Sequence, residues 1–150
     1  MQATDLQMEA PARSVWPLLA AAWLIALISS LAVLFVGEVM GQAPCNLCWF
    51  QRAFMFPLAI VLGVACFRAD SSAWRYALPL ALGGAAIAGF HTLLYLGVIP
   101  ERIIPCSAGI SCTSADMTIL GGLPLPALAL TAFVAIAVLL FFTRQRLSHA

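Results

Sequence analysis

Charge is missing from long stretches of this 150-residue chain, and those gaps decide its fold class. No side chain charged at neutral pH lies between Arg13 and Glu38, Arg52 and Arg68, Arg75 and Glu101, or Asp116 and Arg144. Three of these gaps reach the roughly 20 apolar residues that a helix needs to cross a bilayer. The stretch after Arg52 reaches that length if Gln51 and Arg52 sit at its end. Hydrophobic residues make up 63% of the chain and charged ones 9%, too little polar surface for a soluble domain of this size. The runs lack the alternation of a β-barrel, and isolated strands in lipid would leave backbone groups unpaired.

The expected fold is therefore an all-α membrane protein, a four-helix transmembrane bundle in one domain covering residues 1–150. Its spans are expected at about 15–36, 47–67, 74–99 and 120–142, give or take ~2–4 residues. A cleaved signal peptide is a poorer account of the first apolar run. That run exceeds the ~7–15 residues of a signal core, and Pro44 follows the only small-residue site. A net charge of +1 offers nothing to nucleic acid.

Orientation follows from arginine, because the chain has no lysine. Arg13, Arg68, Arg75, Arg144 and Arg146 flank one side of the spans, and only Arg52 and Arg102 the other. This bias predicts both termini in the cytoplasm and outer loops at about 37–46 and 100–119. Cys45, Cys48, Cys106 and Cys112 fall in or beside those loops, on the side where disulfides persist. Cys66 lies at the opposite end of the second span, with no second thiol or histidine near it in sequence. It reads as a small apolar helix residue.

Cys45-Asn46-Leu47-Cys48 is a C-x-x-C pair, a spacing that suits thiol–disulfide exchange and also metal binding. Its place at the amino end of the second helix favours an anionic sulfur, expected at Cys48. Arg52 comes one turn later on the same face, where it stabilises a thiolate or polarises a bound carbonyl. Snorkelling to the interface is the simpler account of an isolated arginine, but the cysteine one turn away gives this one a task. Trp49, Phe50 and Phe54 offer flat apolar surface around it. His91 interrupts the third span, ~12 Å from its outer end, as an interhelical hydrogen-bond partner or as part of a shared site with Arg52. Small residues at Ala81, Gly84, Ala85, Ala88 and Gly89 suit close helix packing.

The second pair, Cys106 and Cys112, encloses five residues in a loop bounded by Pro100 and Pro105. A redox role and a static loop disulfide are both open for it on residue pattern alone. Pro124 and Pro126 suit the entrance of the last helix. Soft-metal handling is a competing class, although Met40 and Met117 are few methionines for it. A purely structural membrane protein with outer-loop disulfides is another, and it leaves Arg52 without a role.

The stretch Cys45-Asn-Leu-Cys-Trp-Phe-Gln-Arg52, running into Phe54-Met-Phe-Pro57, resembles the disulfide bond formation protein DsbB family. The order of parts also agrees: four spans, C-x-x-C-x-x-x-R in the first outer loop, His91-Thr92 late in the third span, and a cysteine pair before the last. The short C-x5-C loop is more similar to the BdbC branch than to the long-loop form. In vitamin K epoxide reductase-like proteins the C-x-x-C follows the loop pair, the reverse of the order here.

The resemblance implies a thiol:quinone oxidoreductase of the bacterial inner membrane, using ubiquinone or menaquinone and holding no metal. Its implied partner is a DsbA-like, thioredoxin-fold dithiol oxidase of the periplasm, a relay that keeps that compartment oxidising. In that scheme the partner thiolate attacks Cys106 of a Cys106–Cys112 disulfide. Cys112 then exchanges with Cys45, releasing Cys48 beside the quinone. Arg52 supports the quinone reaction, and His91 lies near the quinone ring.

Overall fold

The computed structural model describes residues 2–99, 118–119 and 123–149. Cys106 and Cys112 lie outside the described residues. Four long helices follow one another: α1 (Gln2–Leu34), α2 (Asn46–Arg68), α3 (Trp74–Tyr95) and α4 (Leu125–Ser148). All four are long and apolar enough to cross a membrane. Each helix packs on its two neighbours in a closed ring, α1 on α2 and α4, α3 on α2 and α4. This is a four-helix transmembrane bundle.

Lipid is as apolar as leucine, so tight packing rather than exclusion of water must hold these helices together. The core shows how. Leu19, Leu58, Leu62, Phe133, Ile136 and Leu140 interdigitate with alanines on every helix. Ala81, Gly84 and Ala88 form the buried face of α3. A Cβ at Gly84 would run into the Phe133 ring, so that glycine is what lets α4 close on α3. Ile60 and Phe67 instead project outward, the side a bilayer would occupy. Buried hydroxyls bond within their own helices, Ser30 to the Ala26 carbonyl at 2.8 Å and Thr143 to that of Leu139 at 3.0 Å.

Sequence and structure differ most at helix ends. The third helix stops at Tyr95, not Ile99, because Gly97 adopts a left-handed conformation (φ 73°). The N–H groups of Gly97 and Val98 then bond back to the carbonyls of Leu94 and Leu93, both at 3.0 Å, and close the helix. The first helix runs longer than expected. After Leu34 it widens into a π-helical turn, Phe35–Val39, which takes up part of the expected outer loop. Before α4, two short antiparallel strands, β1 (Thr118–Ile119) and β2 (Leu123–Pro124), form a hairpin. Pro124 caps α4 and Pro126 sits in its first turn, as the sequence suggests.

The two ends of the bundle differ in chemistry. One carries Cys45, Cys48 and Arg52. At the other, Arg144 of α4 and Arg75 of α3 lie over the Trp74 ring, 5.4 and 5.8 Å from its centroid. Arg68 closes α2 there. Trp16 Nε1 donates to the Cys66 carbonyl at 3.2 Å, tying α1 to α2. Cys66 itself is buried in the core cluster, as an apolar residue would be.

Candidate redox site at the head of the second helix

Cys45 caps α2. Its sulfur accepts the backbone N–H of Cys48 at 3.3 Å, in the position where a serine or aspartate usually satisfies a free helix donor. The sequence suggested Cys48 as the sulfur favoured by the helix end, but the capping sulfur is one residue earlier than the helix itself. The two sulfurs lie 2.9 Å apart, and both residues are free thiols. The hydrogen bond shared with Cys48 lowers the Cys45 pKa to about 4; burial opposes this, and the His91 ring reinforces it.

Helical spacing does the rest. Cys48, Gln51, Arg52 and Met55 recur at intervals of three, one and three, and they share the face of α2 that looks into a cavity of about 670 Å³. Segment 41–45 forms another wall, and Ile28 and Ala32 of α1, Val36 of the π-helical turn, and Leu128 and Phe133 of α4 supply apolar lining. Of the expected aromatic surface, only Trp49 meets Arg52, with the guanidinium 5.3 Å from its ring centroid. Phe50 lines a separate shallow groove with Ile87 and Phe90, and Phe54 packs on Gly83.

Arg52 is anchored rather than snorkelling freely. Its Nη2 donates to the Val33 carbonyl at 3.0 Å, just where α1 gives way to the π-helical turn. Widening of a helix disturbs the usual i→i+4 ladder and turns carbonyls toward other donors. Gly37, within that turn, leaves room for the guanidinium: a Cβ there would sit 3.2 Å from Nη2. An arginine at this depth in an apolar span needs such a partner.

His91 lies one turn from the end of α3, ~6 Å along the axis rather than ~12 Å, because the helix ends early. It is fully buried. Its Nδ1 is 2.9 Å from Gln51 Nε2 and its Nε2 is 3.8 Å from Cys45 Sγ. The ring thus sits behind Cys45 and does not line the cavity. Gln51 was legible only as a polar residue at a membrane edge; its three-residue spacing from Cys48 was the signal that it shares the site.

Cys45, Cys48 and His91 bring three ligand-type atoms within 4.8 Å of one another, a donor set to which a soft cation is suited in principle. Gln51 Nε2 meets the other ring nitrogen, Nδ1, at 2.9 Å, so the imidazole is held on the side away from the sulfurs.

Comparison with known proteins fits this geometry. The family model described as "Disulfide bond formation protein DsbB" matches residues 12–143. A "Probable disulfide formation protein" of Metapseudomonas resinovorans is 61% identical over 137 residues, covering 91% of this chain and 95% of that protein. "Disulfide bond formation protein C" of Bacillus subtilis is 38% identical over 118 residues, covering 79% and 86%. A "Probable disulfide formation protein" of Deinococcus radiodurans is 40% identical over 137 residues, covering 85% and 88%. No solved structure matches the chain.

Proposed function

The chain belongs to the disulfide bond formation protein DsbB family, and from that premise we propose that it is a membrane thiol:quinone oxidoreductase that reoxidises a DsbA-like dithiol oxidase. Membership carries the coarser statement, a multi-pass membrane protein with a role in forming disulfide bonds. The observation that carries the finer one is the cavity beside the C-x-x-C pair. A cavity of about 670 Å³ with apolar walls and a few convergent polar groups suits a compact, lipid-soluble ring compound.

In this reading a bound quinone, ubiquinone or menaquinone, supplies the sink for two electrons and two protons as the Cys45–Cys48 dithiol closes to a disulfide. The chain's own residues do the remainder. Arg52, fixed by Val33, presents a guanidinium to a quinone carbonyl at the cavity wall. Cys48 faces the same cavity, and Cys45 is held by the helix cap and by His91. Cys106 and Cys112 form the donor-side pair: the partner thiolate attacks Cys106 and expels Cys112, which attacks Cys45 and expels Cys48. The partner's second thiolate then displaces Cys106, and Cys106 recloses on Cys112, leaving the partner oxidised and Cys45 and Cys48 as the dithiol.

The membrane is the bacterial inner (cytoplasmic) membrane, with both termini in the cytoplasm and the cysteines facing the periplasm or cell exterior. Gathering of Arg68, Arg75, Arg144 and Arg146 at the end away from the cysteines supports that orientation.

The test uses the purified full-length protein and a reduced DsbA-like dithiol protein. Oxidation beyond the equivalents held in the protein's own disulfides is expected only when a short-chain quinone is added, and it is expected to stop in Cys48→Ser. Full turnover in that variant, or turnover without quinone or another added oxidant, would overturn the reading.

A further inference from the structure

Two polar side chains are buried within otherwise apolar helices, Gln51 on α2 and His91 on α3. Such groups in a membrane need a partner, and here they meet each other across the helix interface at 2.9 Å. The direction of that contact has a chemical consequence. The Gln51 amide nitrogen carries two hydrogens and no lone pair to share. Nδ1 of the imidazole must therefore accept. A neutral ring with its lone pair at Nδ1 holds its proton on Nε2, the nitrogen 3.8 Å from Cys45 Sγ. The same sulfur also receives the Cys48 backbone N–H and shares a hydrogen bond with the Cys48 thiol.

We propose that Gln51 is a positioning residue: it fixes His91 in the tautomer whose Nε2–H points at Cys45, so that Cys45 is the sulfur seated for negative charge in the reduced pair. His91 then serves as a donor to sulfur and not as a base that removes the Cys45 proton. Both cysteines border the cavity, and the His91 ring of α3 stands behind Cys45. The proposal deepens the redox reading of this pair and rests on it for its functional meaning.

The experiment reads the tautomer directly. Full-length protein labelled with ¹⁵N-histidine is reduced and solubilised in detergent. The chain holds two histidines, so His149→Asn assigns the His91 signals. One-bond N–H coupling is expected at Nε2 and absent at Nδ1. In Gln51→Met, which keeps the length of the side chain but loses the donor, the proton is expected to distribute over both nitrogens. The midpoint of the pH profile for Cys45 alkylation by iodoacetamide is expected to rise by about 0.7 unit, the about fivefold worth of one hydrogen bond of modest strength. A native protein with its proton on Nδ1 would overturn the proposal. So would a Gln51→Met variant with unchanged coupling and unchanged alkylation. The native spectrum decides even if the variant folds poorly. Neither measurement uses quinone or a dithiol partner, so their outcome stands apart from that of the turnover assay.

Discussion

Arg52 Nη2 donates to the carbonyl of Val33 across 3.0 Å, joining the cysteine helix to the point where α1 widens into its π-helical turn. The bond turns a mobile cation into a fixed one. A guanidinium held by one of its nitrogens keeps the others free to meet an oxygen on the cavity side.

Lysine cannot replace that arrangement, because its single ammonium cannot bond Val33 and an acceptor oxygen in the same planar fork. Arg52→Lys is expected to raise KM for a short-chain quinone by about tenfold while donor-side thiol exchange is unchanged. Gly37→Ala tests the same anchor from the other helix. Its Cβ would sit 3.2 Å from Nη2 and push the guanidinium aside, lowering kcat/KM by about two- to tenfold. Steady-state quinone reduction measures both.

Cys45 should react as a thiolate well below neutral pH. Its pKa is lowered, so the anionic form exists above about pH 4 and is lost only as pH falls through that value. Alkylation of the reduced protein at Cys45, followed by peptide mass spectrometry, is therefore expected to be nearly flat from about pH 5.5 to 8. An ordinary thiol with a pKa of about 8.5 would instead gain about tenfold per pH unit over most of that range. A tenfold-per-unit slope at Cys45 would show that the cap and the His91 contact do not hold the anion.

Much of this site is legible in the chain itself, and the limits are physical. Gaps between charges report spans because a charge in lipid is costly wherever the helices later pack. The four-residue step from Cys48 to Arg52 reports a shared face because helical pitch is local. Contacts between helices are a different matter. The pattern gave no reason to pair Gln51 with His91, since each is on its own only a polar residue in an apolar run. Nor did it show the π-helical turn at Phe35–Val39, whose place beside Val33 and Gly37 makes sense only once Arg52 arrives from α2. The early end of α3 was readable at Gly97, but the apolar run through Ile99 masked it.

Packing at the bundle centre can be tested apart from the chemistry. Gly84 meets Phe133 so closely that any side chain must displace the ring. Gly84→Val is expected to separate α3 from α4 and to destabilise the fold by about 1–3 kcal/mol, as overpacking does elsewhere. Reversible denaturation in mixed detergent micelles measures the loss.

The cavity allows the two halves of the proposed reaction to be separated. Ala129 on α4 lines it, so a larger apolar side chain there fills space and brings no reactive group to either thiol pair. Ala129→Phe is expected to reduce turnover with quinone by at least about tenfold, because a ring compound and a second aromatic ring cannot share the volume. The donor side should be spared. When oxidised protein is mixed with one equivalent of a reduced DsbA-like protein and no quinone, the two are expected to exchange disulfides at the native rate. Stopped-flow fluorescence or acid-quenched gel shifts follow that half-reaction. Equal losses in both halves would count against an acceptor site confined to this cavity.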